Sequence, residues 1–287
     1  MLNEVAAGAA DEAHALNVDQ YLEEWFAGKR ALRPSTRASY RHHLTYYLIP
    51  QLGHYRLREL RPRHIDTLLD SIAVRGTRKE LSPATQRRVY ATLRTALNAA
   101  VRRRLVPYNP ALAVELPAEH RTATVVWTAD QASHFLRFTT EDRLHPVFHL
   151  VLVTGLRRGE VTGLRWQDVD LDLGLLRIRQ QLVQVGGAIH VGPPKTKAGF
   201  RTIALDAGTV LVLRGHAAAQ NAEREAWGPA WQSSGHVFCR ENGAPLMPGL
   251  MTRRFRTLVG QAGLPPITFH ALRHTSASLA PWVPVSR

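Results

Sequence analysis

The chain is poor in the features that would carry it out of a cell or into a membrane. Its 287 residues include one cysteine, Cys239, so no intramolecular disulfide can form and a reducing compartment is expected. No apolar run approaches the ~20 residues of a membrane-spanning helix. The opening MLNEVAAGAADEAHALN lacks the basic-then-apolar layout of a signal peptide. A cytoplasmic protein without a membrane partner is the expectation. There is no internal repeat and no low-complexity segment. The histidine pairs His145/His149 and His270/His274 have helical i, i+4 spacing, but no HExxH motif, second cysteine or acidic cluster completes a metal site around them. VGPPKTK lacks the glycine-lysine-Ser/Thr ending of a phosphate loop. No metal and no cofactor are expected. Tyrosine is also unevenly spread: the seven stand at 21, 40, 46, 47, 55, 90 and 108, and none follows Tyr108.

Acidic residues are scarce as well. Against 23 Asp and Glu stand 37 Lys and Arg, a formal charge of +14. Residues 18–117 alone hold 18 basic and 8 acidic residues. Such a surface attracts polyanions, and with arginine outnumbering lysine along several helices, nucleic acid is favoured over an acidic membrane.

Apolar periodicity organises the first third of the chain. Val18, Tyr21, Leu22, Trp25 and Phe26 recur at helical spacing and form one stripe. RPSTRASYRHHLTYYLIPQLG repeats the pattern with Tyr40, Leu44 and Tyr47, offers Ser35 as N-cap and is expected to stop before Pro50. RPRHIDTLLDSIA and SPATQRRVYATLRTALNAAVRRRL follow, each with proline near its first position and Ser82 capping the second. These four helices make a basic module. Arg37 and Arg41 on the second, with Arg87, Arg88, Arg94, Arg102, Arg103 and Arg104 on the fourth, are its candidate contacts to a DNA backbone. VPYNPALAVELPAEHRTATVVW, with Pro107, Pro110 and Pro117, then breaks the periodicity. The expected division is a DNA-binding helical domain over 17–117, a linker over 118–127 and a second domain over 128–287.

The second domain opens on a capping box, Thr128 with Gln131. RLHPVFHLVLVTGLRRGEVTGLRW reads as an apolar helix broken near Gly155 and restarted near Gly159. Strand patterns flank a hairpin signal at Gly186-Gly187, RTIAL supplies a further strand, and HVFCR a brief one. Asp206 caps a long helix, and two more helices follow. The fold class is therefore mainly α with a small antiparallel β-sheet.

Four residues stand where chemistry can be held. Arg157 sits at a glycine-framed helix break, with Glu160 close enough to orient its guanidinium. Lys195 lies at a hairpin, between GPP and TKAG. His270 and Arg273, three apart on the last helix, project together. Each alone is equally at home as ordinary surface charge or a structural contact. Together, a guanidinium fork and an imidazole are what a pentacoordinate phosphate transition state requires.

TGLRRGEVTGLRWQDVDL, PPKTKAGFRTIAL and FHALRHTSAS resemble the ordered motifs of the tyrosine recombinases, the phage-integrase family, over residues 17 to about 280. The basic module is similar to that family's four-helix, SAM-like core-binding domain, and residues 128–287 to its α+β catalytic domain. The resemblance implies that Arg157 is the first catalytic arginine and Glu160 the acidic residue behind it. It makes Lys195, with Lys197 as the poorer choice, the general acid toward the leaving 5′ hydroxyl. His270 and Arg273 become the HxxR motif. It further implies site-specific recombination of double-stranded DNA through a covalent 3′-phosphotyrosyl intermediate, without ATP or metal, in a homo-oligomer or beside an intact recombinase on DNA.

The family places its tyrosine downstream of HxxR, where this chain has PWVPVSR. The chain is accordingly expected to be truncated before its nucleophile and inactive alone. A catalytically inactive DNA-binding remnant, or a regulator that occupies recombination sites, is the alternative. Loss of a covering segment would also expose an apolar patch near Leu272 and Leu279.

Overall fold

The computed structural model describes residues 16–73, 81–116 and 125–279, with the side chains of 277–279 left undescribed. Two compact units divide the chain, 1–122 and 123–287.

The first unit is built from α1 (Val18–Ala27), α2 (Pro34–His43), α3 (Ile49–Leu52), α4 (Pro62–Ala73) and α5 (Pro83–Arg102). Its core joins the α1 stripe to Leu44, Leu48, Leu68, Leu93 and Leu97. The Tyr21 hydroxyl crosses this core to donate to the Ala96 carbonyl at 2.6 Å. Ser82 caps α5 as expected, accepting from the Thr85 N–H. Two local expectations fail. Ser35 lies inside α2: Pro34, whose ring presets helical φ, takes the first helical position, and Arg33 precedes it. The helix also does not stop before Pro50. A π-helical turn over Leu44–Leu48, with the Ile49 N–H returning to the Leu44 carbonyl, carries the chain into α3. The wider turn moves the carbonyl that a proline ring would strike, so the axis continues to Gly53.

The segment after α5 is packed, not extended. Val106, Ala111 and Val114 are buried in the first core, and the Tyr90 hydroxyl donates to the Ala111 carbonyl at 2.6 Å. Of the linker expected over 118–127, residues 118–124 lie outside the described residues. Trp127 belongs to the second core, its indole N–H donating to the Pro265 carbonyl at 2.9 Å.

The second unit contains α6 (Ala129–Phe138), α7 (His145–Thr154), α8 (Arg158–Thr162), β1 (Val169–Asp170), β2 (Leu175–Ile178), β3 (Gln181–Val185), β4 (Ala188–Gly192), β5 (Arg201–Ala204), α9 (Ala207–Trp227), α10 (Pro248–Gln261) and α11 (Phe269–Leu279). The Thr128–Gln131 capping box forms in both directions. The strands make two small antiparallel sheets: β1-β2-β5, and the hairpin β3-β4, which turns through Gly186 and Gly187 at φ 56° and 86°. HVFCR is no strand: isolated bridges from His236 to Arg165 and from Cys239 to Pro245 hold it, while Val237 and Phe238 plug the core. Phe135, Phe148, Phe255 and Trp127 meet at ring distances of 5.0 to 5.9 Å. α11 packs along α7. Leu272 is completely buried there and so does not contribute to the apolar patch expected near it; the Leu279 side chain lies outside the described residues. Among the described residues no helix is long and apolar enough to cross a membrane.

Candidate functional site

The site grows from the turn between α7 and α8. Gly155 closes α7 in the left-handed region, φ 63°, and returns its N–H to the Val151 carbonyl. A Cβ at this position would stand 3.3 Å from Ser276 Oγ and 3.8 Å from Arg273 Cγ, so α11 presses directly on the turn. Leu156 is driven into the core. Arg157 follows in extended conformation, its side chain 41% exposed. The glycine break therefore places an apolar anchor and a surface guanidinium on consecutive residues.

Glu160, one turn into α8, is 1% exposed. It accepts from the Arg157 N–H at 3.0 Å and from Arg157 Nη1 at 2.8 Å. Arg201, at the start of β5, adds a two-pronged contact, Nη2 at 2.8 Å and Nη1 at 3.2 Å. Burial alone would raise this carboxyl. The hydrogen bonds from Arg201 and Arg157 outweigh it and hold Glu160 down to about 2. One buried carboxylate thus orients two guanidinium groups while offsetting only one of their two charges.

From α11, Arg273 Nη1 donates to the Gly155 carbonyl at 2.7 Å across 118 residues of sequence. Burial, then the nearby charge of Arg157, lowers the Arg273 pKa, with Glu160 opposing. His270 lies one turn earlier with its ring edge-on to His274 at 4.9 Å. Partial burial first, then the charges of His274, Arg273 and Arg157, lowers its imidazole from the ordinary histidine value. Arg157, His270 and Arg273 therefore share one field in which positive charge is in excess. An anion placed among them relieves that repulsion, and an imidazole beside it can exchange a proton.

Lys195 is exposed in the connection between β4 and β5, not at the hairpin reversal itself, which falls at Gly186-Gly187. Lys197 is exposed in the same connection and opens a short 3₁₀ turn, Lys197–Gly199. The connection is bound back toward the arginine turn. Gln181 Nε2 donates to the Pro193 carbonyl at 2.9 Å. Gln181 and Leu182 also lie against Gly159, where the Leu182 carbonyl would be 2.7 Å from any Cβ.

In the first unit, Arg88, Arg94, Arg102, Arg103 and Arg104 are exposed on and just after α5, and Arg87 is half-buried. Arg37 and Arg41 are partly committed: both guanidiniums cover the Phe26 ring, at 4.6 and 4.3 Å, and Arg41 also pairs with Glu23 at 2.6 Å. Arg201 is the site residue that sequence reasoning passed over, since RTIAL reads as an ordinary strand. The available signal was a charged residue opening a short strand six positions after the lysine.

These features define a two-unit protein whose second unit carries a cationic, anion-attracting cluster at a helix break. The chain belongs to the phage integrase family, the tyrosine recombinases: residues 126–279 match that family's model, and residues 17–72 match the phage integrase N-terminal SAM-like domain. A tyrosine recombinase XerC-like protein of Caldanaerobacter subterraneus subsp. tengcongensis is 31% identical over 148 residues, 47% of this chain and 38% of that protein. A putative prophage phiRv2 integrase of Mycobacterium tuberculosis is 27% identical over 265 residues, 91% of this chain and 66% of that protein. The chain thus spans between about a third and two thirds of these relatives' lengths. Its fold is shared with the Tn1549 transposon integrase solved with a circular intermediate DNA, with a TM-score of 0.79, 19% identity, and 93% of this chain and 87% of that one covered. It is shared as well with lambda integrase, solved as a tetramer on a Holliday junction, with a TM-score of 0.67, 19% identity and 94% and 74% covered.

Proposed function

We propose that this chain binds double-stranded DNA through its basic helical unit, residues 17–117, and cradles a scissile phosphate in the unit over 128–287, as a site-specific recombination protein. The observation that supports the reading is that Arg273 Nη1 reaches the Gly155 carbonyl two residues before Arg157, with His270 one turn earlier on the same helix and Glu160 buried behind the first arginine. The two guanidiniums hold the nonbridging oxygens where charge builds during attack. His270 bonds or relays a proton at the same phosphate. Lys195 gives a proton to the departing 5′ oxygen as the phosphorus bonds to the incoming hydroxyl. The family's DNA-bound structures, including the lambda integrase tetramer, support duplex DNA and a multi-subunit complex as partners.

The attacking hydroxyl comes from outside these 287 residues. All seven tyrosines precede residue 109. Tyr21 is fully buried, and burial pushes its phenol up to about 12. Tyr47 and Tyr90 are buried, and Tyr40 and Tyr55 are half-buried, stacked on Trp25 at 5.3 Å and on His64 at 4.1 Å. Tyr46 and Tyr108 are exposed, but neither lies in the unit that carries the cradle. The same distribution favours a second reading, in which the chain occupies sites without cutting.

A nicked suicide duplex carrying the attachment site, resolved under denaturing conditions, tests both. The 287-residue chain alone is expected to retain DNA in a native gel and to give no covalent band. Adding a family member that has its tyrosine but whose own first arginine is replaced restores the band if this cradle works in trans. No band in that mixture leaves the site-occupying reading. A covalent band from the chain alone refutes the placement of the nucleophile outside it.

A further inference from the structure

Arg201 is bonded at the site more extensively than its place in a short strand requires. Its Nη2 and Nη1 hold Glu160 at 2.8 and 3.2 Å, and the same Nη1 donates to the Gly199 carbonyl at 3.2 Å. Gly199 is the far end of the Lys195 connection. That connection closes on itself: the Gly199 N–H donates to the Thr196 carbonyl at 2.9 Å, and Pro194 fills the space that a side chain at 199 would need. At the near end, Gln181 holds the Pro193 carbonyl while packed on Gly159 of α8. Lys195 is thus suspended between two ties, both ending on the helix that carries Glu160.

We propose that Arg201 is a positioning residue for phosphate chemistry, the downstream tie that fixes the Lys195 connection to the Arg157 turn through one shared carboxylate. The inference rests on the phosphate-cradle reading above. A guanidinium is required because three acceptors in different directions, two carboxylate oxygens and one carbonyl, are met by one rigid fork; an ammonium is a point charge on a flexible stem and satisfies the carboxylate alone. Arg201 is also among the charges that lower Arg273, so it adds positive potential to the same cluster.

The experiment compares the wild-type chain with Arg201→Met, Arg201→Lys and Arg157→Ala, using sodium tungstate as the phosphate probe. Amide hydrogen exchange reads the connection over 193–200, and the His270 ring NMR signal reads anion binding. Arg201→Met is expected to speed exchange in 193–200 at least tenfold and to weaken the tungstate response of His270 by about tenfold, while exchange in α7 and α10 stays at the wild-type level. Arg201→Lys, which keeps the charge and so protects the fold, is expected to recover the melting temperature but not the loop protection. Wild-type exchange in 193–200 for either variant, or full recovery of both readouts by Lys, overturns the proposal. Arg157→Ala separates the two ideas. It is expected to abolish the His270 response while leaving 193–200 protected. A wild-type chain whose His270 ignores tungstate refutes the cradle itself, whatever the loop does.

Discussion

Glu160 shows how one buried carboxylate can govern a cationic site. Its group is held at about 2 against an ordinary 4.5 because the folded chain surrounds its charged form with Arg201 and Arg157, despite burial acting the other way. A carboxylate depressed on folding stabilises the fold fully above its unfolded value, and that contribution drains as pH falls toward the folded one. The interaction is worth on the order of 3 kcal/mol. Urea unfolding of the wild type at a series of pH values should therefore show stability falling between about pH 4.5 and 2. Glu160→Gln should be less stable at pH 7 by a similar amount and flatter across that acid window. Equal slopes in the two proteins would remove Glu160 from this role. His270 supplies the matching test for the other half of the site. Its imidazole is lowered partly by Arg157 and Arg273, so Arg157→Ala should move its NMR titration upward, toward the usual histidine range. A titration unchanged by that substitution would place Arg157 and His270 in separate environments.

At the scale of elements, the turn between α7 and α8 carries the precision of the site. Gly155 ends one helix in the left-handed region, offers its carbonyl to Arg273, and leaves room for Ser276 from α11. A side chain there meets two separate objections, the backbone conformation and the neighbouring helix. Gly155→Ala should cost roughly 1–2 kcal/mol from the left-handed conformation alone. It should also shift α11 enough to disturb the His270 signal. A substitution that left both the unfolding midpoint and that signal unchanged would show that α11 is not seated on the turn. The π-helical turn before α3 is a comparable device in the first unit: it lets a helix run through Pro50 that a regular hydrogen-bond ladder would have ended there.

For the whole molecule, the decisive quantity is charge distribution. Arg88 and Arg94 stand exposed on α5 with Arg102, Arg103 and Arg104 at its end, whereas Arg37 and Arg41 are drawn over Phe26. DNA affinity is therefore expected to depend more on the α5 arginines than on the α2 pair. Replacing Arg87, Arg88 and Arg94 with alanine should lower the slope of log affinity against log salt by about one unit for each phosphate no longer neutralised. Replacing Arg37 and Arg41 should lower it by less. Fluorescence anisotropy with a labelled duplex across a salt series measures both, and an unchanged slope for the α5 triple variant would move the interface elsewhere.

The sequence by itself determined what is local or periodic. Apolar spacing places α1, α4 and α5, the capping residues Ser82, Thr128 and Asp206 mark three helix starts, and the glycines at 155 and 186–187 mark the break and the hairpin. His270 and Arg273 share a face because a helix repeats every 3.6 residues. None of these needs a distant partner. What only the tertiary structure decided is every relation across the chain. Arg273 meets Gly155 over 118 residues, and Arg201 meets Glu160 over 41. The burial of Leu272 depends on α7 lying beneath it, and the packing of 106–114 on the core it returns to. HVFCR shows the same limit from the other side: its strand-like pattern is satisfied by burial in a core, with isolated bridges in place of a ladder. Periodicity reports which face of an element is apolar, but the partner that covers it, and the carboxylate that two arginines come to share, is selected only when the whole unit packs.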